Sequence, residues 1–159
     1  MEVRQATIAD AKKISMLIQE SALEFITPEF SPQATTHFLH ANNQASIEGF
    51  IQQGFVYFVL EQEGSSGVAL IGCIGMRNFS HIYHLFIAKA WQGKGYAGKL
   101  WQHALAFCMA QGNPGLFTVN SSNNAVGVYQ ALGFMATSPM QELHGVLFNP
   151  MQLDLRSST

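Results

Sequence analysis

Apolar and polar positions in the first third of the chain follow the spacing of one strand and one amphipathic helix. The alternating segment Glu2–Ala6 predicts a first strand. Thr7 and Asp10 stand at the spacing of a helix-capping pair. The apolar residues around them recur at helical spacing and predict one buried stripe, formed by Ile8, Ala11, Ile14, Leu17 and Ile18. Residues 22–53 mix aromatic residues, prolines and polar runs, which predicts one or two irregular helices that form a lid.

Apolar runs in the middle of the chain predict three neighbouring strands. Phe55–Leu60 and Val68–Gly75 are separated by Gly-Ser-Ser-Gly, which predicts a hairpin turn, and His81–Ile87 supplies the next strand. A long helix follows, with an apolar stripe formed by Leu100, Trp101, Ala104, Leu105 and Cys108. The sequence Gly-Asn-Pro-Gly ends this helix before a strand over Leu116–Asn120.

The last third of the chain predicts one more helix and two more strands. The helix covers roughly Asn123–Leu132 and is closed by Gly133. The strands are Phe134–Thr137 and Val146–Leu155, with a loop between them. This order indicates an α/β (α+β) fold with about seven strands and about four helices. Because the 159 residues contain no repeat or linker, they predict a single domain over residues 1–159.

Composition narrows the class of protein further. Hydrophobic residues make up 48% of the chain and charged residues 11%, yet no apolar run approaches the roughly 20 residues of a membrane span. The first residues lack a basic and then apolar signal pattern, so we expect a soluble, cytoplasmic protein without a membrane partner. Cys73 and Cys108 lie in apolar segments, which is typical of buried, reduced thiols rather than of a disulfide or zinc site.

Charge is distributed unevenly along the chain. Residues 1–63 carry eight acids against three bases, whereas residues 64–141 carry four bases and no acid. The basic segment suits a polyanionic cofactor, and the acidic segment would favour a cationic amine, although an ordinary solvated surface also accounts for it. Four basic residues are too few to indicate a nucleic-acid partner.

The strongest chemical signal is a glycine-rich turn between the strand that ends at Ile87 and the following helix. Gly93, Gly95 and Gly98 let the backbone approach an anion at the helix start, where unpaired N–H groups and the helix dipole favour negative charge. The chain has no Walker sequence. The three glycines meet the dinucleotide pattern G-x-G-x-x-G, but no acidic residue follows before Glu142, well beyond the expected position of about 20 residues further on.

A different motif fits the same turn more specifically. Gln92, Gly95 and Ala97 match Q/R-x-x-G-x-G/A, which resembles the acetyl-CoA-binding motif of the GNAT superfamily of N-acetyltransferases. A second family motif, A-x-x-x-Y-x-x-x-G-F, matches the segment from Ala125 through Tyr129 to Phe134. The resemblance covers essentially the whole chain. It implies a mixed, mostly antiparallel central sheet flanked by helices, with a splayed cofactor cleft.

The resemblance also implies which residues hold acetyl-CoA, the acyl donor. The backbone of Leu85 and Ile87 would pair with pantetheine as an added strand does. The family asparagine three residues before the alanine is replaced here, and either Asn120 or Ser122 would make its hydrogen bond. The residues of the turn would cradle the pyrophosphate: Gln92, Gly93, Lys94, Gly95, Tyr96, Ala97 and Gly98.

Acetyl transfer needs an oxyanion donor, an acid and a route for the amine proton. The resemblance assigns the first role to the Leu85 N–H and the second to Tyr129, which would protonate the CoA sulfur. His81 falls where relatives carry a catalytic glutamate or histidine, and its ordinary pKa near 6.5 suits a base. Direct attack by an already neutral amine, with His81 only ordering water, stays open. Strand alternation predicts His81, Tyr83, Leu85 and Ile87 on one face, with His84 on the other as a satisfied core or surface histidine.

The acceptor is less clearly marked than the donor. Phe25, Phe30 and Tyr83 are candidates to line a pocket for a primary amine on a small molecule or peptide. The remaining histidines show no ligand spacing, so no metal is expected. Two other functions stay open: a catalytically silent acyl-CoA-binding regulatory module and a nucleotide-binding oxidoreductase. A homodimer also stays open.

Overall fold

The computed structural model describes residues 2–156, which form eight strands and five α-helices. The strands are β1 (Val3–Gln5), β2 (Val56–Gly64), β3 (Gly67–Arg77), β4 (His81–Ile87), β5 (Leu116–Ser121), β6 (Met135–Ala136), β7 (Gln141–Leu143) and β8 (Val146–Asp154). The helices are α1 (Ala11–Phe25), α2 (Pro32–Ala41), α3 (Gln44–Gln52), α4 (Tyr96–Ala110) and α5 (Val126–Ala131). Short 3₁₀ turns cover Ile8–Asp10, Thr27–Glu29, Lys89–Trp91 and Asn123–Ala125.

The strands form one sheet in the order β1-β2-β3-β4-β5-β8-β6, with β7 paired to β8. All pairs are antiparallel except β4 with β5. This arrangement confirms the mixed, mostly antiparallel sheet flanked by helices. The parallel pair is short, because only His81 with Thr118 and Ile82 with Val119 are in register. Beyond Ile82 the two strands separate, so the splayed cleft is also confirmed.

Two predictions about the lid and the tail were wrong in detail. Residues 141–143 were expected in a loop but form β7, because the positive φ angles of His144 (53°) and Gly145 (83°) close a tight hairpin onto β8. The lid helices α2 and α3 are regular rather than irregular. Each is capped by a side chain: Ser31 accepts from the Ala34 N–H and Asn43 from the Ser46 N–H.

The sheet separates two apolar cores. One packs under α4 and contains Phe58, Trp101 and Phe117, and the other packs under α1 and α3 and contains Ile14, Ile47 and Cys73 among its buried members. Both cysteines are buried and unpaired, as expected. The capping pair at the start of the first helical segment is also confirmed, since the Thr7 N–H donates to Asp10 at 2.8 Å.

A bulge in β4 overturns the predicted face of Tyr83. Gly75 of β3 lies opposite His84 and Met76 lies opposite Ile82, so Tyr83 is the extra residue of β4. Ile82 therefore joins the α4 core, while Tyr83 and His84 both pack with Phe50 of α3. The prediction that Tyr83 shares a face with Leu85 and Ile87 is wrong because the bulge interrupts the alternation. The prediction that His84 lies on the opposite face from Leu85 and Ile87 is confirmed, since His84 bonds to Tyr57 of the other core.

No helix in residues 2–156 is long and apolar enough to cross a membrane.

The close approach of Tyr57 to Gly75 generates a stability prediction. A Cβ on Gly75 would lie 2.3 Å from the Tyr57 ring. We expect Gly75→Ala to lower the free energy of unfolding by roughly 1–3 kcal/mol because the ring must shift. Urea denaturation measures the change, with Gly49→Ala in α3 as the control. That position has nothing within 4 Å, and the added methyl group should stabilise the helix by about 0.5–1 kcal/mol. Equal stability of Gly75→Ala and the unsubstituted protein would contradict this packing.

Candidate active site

The glycine-rich turn lies directly before the start of α4. Gly93 and Gly95 have φ angles of 74° and 86°, a conformation that favours glycine, and Gly95 directly precedes the first helical residue. A Cβ at either position would meet nothing within 4 Å, so the space above the turn is open. No acidic side chain lies in the first turn of α4, and Lys94 is exposed beside it. This combination fits a bound anion such as a pyrophosphate.

The other residues of the turn hold it to the sheet. The Gln92 side-chain amide donates to the Ile87 carbonyl at 3.0 Å, which ties the turn to the end of β4. Tyr96 packs edge-on against Trp91 with ring centroids 6.0 Å apart. Gly98 has nothing closer to an added Cβ than Leu132 at 3.9 Å, so the chain itself does not require a glycine there.

The edge of β4 next to the turn is open toward β5. The Ala88 N–H donates to Ile71 of β3 at 2.9 Å, and backbone groups alternate direction along a strand. The N–H groups of Leu85 and Ile87 therefore point away from β3, into the cleft where β5 has already separated. Their side chains pack into the α4 core. An extended ligand can pair with this edge, although the Ile87 carbonyl is already used by Gln92.

Tyr129 lies in α5, buried in the same apolar cluster as Leu85 and Ile87. Its ring packs edge-on against Phe134 at 5.8 Å. No described residue hydrogen-bonds its hydroxyl, yet that oxygen is not sealed from solvent. Burial raises the pKa of Tyr129 above its ordinary value of 10, so the proton stays on the hydroxyl throughout the neutral range.

Asn120 and Ser122, the alternatives for the family asparagine, lie at the end of β5. The Asn120 side chain is exposed, and Ser122 immediately precedes the 3₁₀ turn Asn123–Ala125. Neither side chain hydrogen-bonds to the described part of the chain, so both amide and hydroxyl are available to a ligand. The choice between them stays open.

His81 lies at the start of β4, where β4 and β5 are still paired. Its Nδ1 lies 2.8 Å from the Thr118 hydroxyl. Burial, together with the positive charge of Arg77, lowers the pKa of His81 to about 4, well below the ordinary value that the sequence suggested. His81 is therefore neutral at pH 7. It lies four residues before Leu85 in the chain, and the bulge at Tyr83 stands between the two.

His84 is a satisfied core histidine on the face opposite Leu85 and Ile87, as predicted. Its Nδ1 lies 2.8 Å from the Tyr57 hydroxyl and its Nε2 lies 2.7 Å from the Asn42 side-chain oxygen. It is 5% exposed, and burial lowers its pKa to about 3. A neutral ring at this position uses both of its nitrogens.

The three candidate acceptor residues do not converge on one pocket. Phe30 packs edge-on against Phe38 at 6.0 Å and lines a narrow crevice with Ser122. Tyr83 is 37% exposed and packs with the aromatic rings of α3 and its following turn, with the Arg77 guanidinium 5.7 Å from its centroid. Phe25, the last residue of α1, is half-buried. Only Phe30 therefore lies beside a candidate cofactor residue.

Residues that sequence reasoning missed cross the open cleft. Glu24 forms an ion pair with Lys89, just after β4. Glu29 accepts a hydrogen bond of 2.8 Å from the Asn123 side-chain amide, just after β5. The segment from Glu24 to Glu29, which we call the strap, thus links the ends of the two separated strands. The Asn123 side-chain oxygen in turn accepts from Asn149 of β8 at 2.8 Å. These partners are distant in sequence, and no local pattern marks them.

Within residues 2–156, no group of three or more His, Cys, Asp or Glu side chains could hold a metal ion.

This fold and this site were compared with known protein families and solved structures. The family model of the acetyltransferase (GNAT) domain matches residues 26–155. Nothing among the curated proteins matches the chain. A GCN5-related N-acetyltransferase from Rhodopseudomonas palustris is similar in structure, with a TM-score of 0.77 at 17% identity over 97% of this chain and 95% of that chain.

Two further similar structures contain the acyl donor or its product. PaiA N-acetyltransferase from Thermoplasma acidophilum, in complex with coenzyme A, has a TM-score of 0.68 at 16% identity, over 96% of this chain and 98% of its own. A phosphinothricin acetyltransferase from Sinorhizobium meliloti, in complex with AcCoA, has a TM-score of 0.61 at 20% identity, over 99% and 91%. At these identities the likeness concerns the fold.

Charge and bulk introduced into the glycine-rich turn should block an anion there. We expect Gly95→Glu to weaken coenzyme A binding by at least roughly 100-fold, because the carboxylate repels phosphate and the side chain occupies the open space. Isothermal titration measures the affinity. Gly54→Glu is the matched control, since Gly54 also has a positive φ and nothing within 4 Å, but lies in the turn after α3. Retained affinity in Gly95→Glu would show that the phosphates bind elsewhere.

Proposed function

Because the chain belongs to the GNAT acetyltransferases, we propose that it transfers the acetyl group of acetyl-CoA directly to a primary amine of a small molecule or peptide in a ternary complex. The family assignment supports acetyl transfer, and the direct route and the kind of acceptor are our proposal. The two buried cysteines support a direct route. Burial raises the pKa of Cys73 to about 12 and that of Cys108 to about 11, so neither thiol is disposed to form an acetyl-enzyme.

The observation that carries the proposal is the open edge of β4 leading into the glycine-rich turn. Acetyl-CoA supplies an activated acetyl thioester. The turn at Gly93 and Gly95 offers an anion site, and the N–H groups of Leu85 and Ile87 offer donors along the cleft before it. An extended ligand whose arm leads to a pyrophosphate fits this succession of sites. A metal ion is not part of the proposal.

Leu85 supplies the proposed oxyanion donor through its backbone N–H. A donor aimed at the position where negative charge develops is typically worth roughly 10²–10³ in rate. A backbone N–H suits this role because the sheet fixes its direction before the reaction begins. The Leu85 side chain packs into the core and takes no part.

Tyr129 is the proposed acid for the departing sulfur. Its hydroxyl has no described protein partner, so it is free to donate to a ligand. Burial raises the pKa of Tyr129, so its proton stays on the hydroxyl until the thiolate departs. Donation of that proton to the sulfur leaves a phenolate at Tyr129, which takes a proton back from solvent before the next turnover.

His81 is the proposed base, acting through water. Its role depends on the ring tautomer. If the Nδ1–H donates to the Thr118 hydroxyl, Nε2 carries the lone pair and can accept a proton. The lowered pKa of His81 keeps that lone pair available above about pH 4, but makes it a weaker base than an ordinary histidine. Attack by an already neutral amine would reduce the demand on it.

The strap supplies the proposed preference for cationic acceptors. Glu29 lines the crevice beside Ser122 together with apolar Ile26, Phe30 and Leu147. The Glu29 carboxylate accepts a hydrogen bond from the neutral side-chain amide of Asn123. A carboxylate beside apolar walls favours an amine that carries positive charge next to an apolar body.

Thiol release from acetyl-CoA, measured across a panel of amines and peptides, tests the proposed function. We expect acceptor-dependent release, and Tyr129→Phe should lower turnover by roughly 10²-fold, with coenzyme A affinity nearly unchanged, because only the proton donor is lost. Val128→Ala, at an exposed position of the same helix, is the control for general effects of a change in α5. Tight coenzyme A binding with no release for any acceptor would favour a silent acyl-CoA-binding module instead.

The role of His81 can be read from the pH dependence of kcat/KM. Because the pKa of His81 is lowered to about 4, its basic form is fully present above about pH 5, and the profile should show no histidine inflection near pH 6.5. His81→Gln should lower turnover by roughly 10²-fold between pH 5.5 and 8 without changing the profile's shape. His103→Gln, in α4, is the matched control. Unchanged turnover in His81→Gln would remove His81 from the mechanism.

A further inference from the structure

A buried polar cluster lies directly beside the proposed oxyanion donor. His84 bridges Tyr57 of β2, at 2.8 Å, and Asn42, which follows the last residue of α2, at 2.7 Å. All three residues are at most 5% exposed. The cluster therefore joins the sheet to the lid through one ring.

The hydrogen-bond directions in this cluster are fixed by its outer partners. The Asn42 amide nitrogen donates to the Phe38 carbonyl at 2.9 Å, which leaves its oxygen toward His84. That oxygen only accepts, so Nε2 of His84 carries the proton. Nδ1 then accepts from the Tyr57 hydroxyl. The neutral ring is held from both sides in a single tautomer and orientation.

Each partner of His84 is itself fixed in place. The Asn42 carbonyl accepts from the Ser15 hydroxyl of α1 at 2.8 Å, so the junction after α2 is tied to a second helix. The Tyr57 ring lies against Gly75, where any side chain would collide with it. Gly75 is also the residue of β3 opposite His84. The cluster thus clamps β4 at one defined point of its register.

That point is where the bulge redirects the strand. Tyr83 is the extra residue of β4, and regular pairing resumes at His84. The carbonyl of His84 and the N–H of Leu85 belong to the same peptide plane. A rotation of the His84 backbone therefore changes the direction of the Leu85 N–H directly. On the side of β5 no ladder holds this peptide, because the pairing of β4 and β5 stops at Ile82. Its direction therefore depends on the pairing of His84 with Gly75 of β3 and on the side-chain cluster.

We propose that His84 is a positioning residue: through Tyr57 and Asn42 it sets the direction of the Leu85 N–H toward the thioester carbonyl. The proposal rests on the proposed function of Leu85, and it adds a link from the end of α2 to the oxyanion donor. A lid displaced at Asn42 would turn the donor.

The carbonyl stretching frequency of bound acetyl-CoA tests the proposal without needing turnover. A hydrogen bond to the thioester oxygen lowers this frequency, and difference infrared spectra with a ¹³C-labelled acetyl group isolate the band. We expect a lowered frequency in the unsubstituted protein. More than half of that shift should be lost in His84→Phe and in Tyr57→Phe. The second variant removes only a hydroxyl and keeps the test valid where the first does not fold.

Kinetics and a matched control separate positioning from stability. In both variants we expect kcat to fall by roughly tenfold, which is less than the loss of rate when an oxyanion donor is removed entirely. The KM for acetyl-CoA should stay within about twofold of the value for the unsubstituted protein. His84→Gln, which can still donate and accept, should restore part of both readouts. The control is Asn113→Ala, which removes hydrogen bonds to Phe79, Gly115 and Leu116 away from this peptide. It should lower thermal stability without moving the band.

Two results would overturn the proposal. One is a thioester carbonyl frequency in Tyr57→Phe and His84→Phe that equals the frequency in the unsubstituted protein, although both variants lose thermal stability. That result would make the cluster purely structural. The other is an unshifted band in the unsubstituted protein. A shifted band that responds to the variants, in a protein that acetylates no amine, would instead contradict the proposed function and support the positioning role.

Discussion

The early separation of β4 from β5 is the constraint on which the rest of the site depends. A parallel strand pair that continued past Ile82 would consume the N–H groups of Leu85 and Ile87 in its own ladder. Unpaired backbone groups are costly when buried, so an open edge in the middle of a sheet persists only if solvent or a ligand satisfies it. The sheet therefore stays incomplete where an extended ligand can complete it.

Several other features maintain that opening. The glycine-rich turn ends β4 and starts α4, with Gln92 bonded back to Ile87, so the anchor for an anion lies at the mouth of the cleft. The strap crosses from Lys89 to Asn123 and keeps the separated strand ends at a defined spacing. The Tyr83 bulge and the His84 cluster fix β4 on its other side. Each of these features orients the same short stretch of backbone.

Local patterns in the sequence predicted most of the fold and the position of the glycine-rich turn before α4. The His81–Ile87 strand, the turn and the α4 stripe have short-range signals, and so does the capping pair at Thr7. The bulge at Tyr83 has no such signal, because it depends on register with β3. The pKa of His81 likewise depends on burial and on Arg77 across the strand pair. The contact between Glu29 and Asn123 joins residues that no pattern relates.

Amide hydrogen exchange resolved by residue, with and without acetyl-CoA, tests the central claim most directly. Exposed, unpaired N–H groups exchange fast, whereas those in a sheet ladder are protected. In the free protein the amides of Leu85 and Ile87 should exchange faster than that of Phe86, which pairs with β3. Acetyl-CoA should slow both. Protection of Leu85 and Ile87 in the free protein, or no change on adding acetyl-CoA, would contradict a cleft built to pair with the donor.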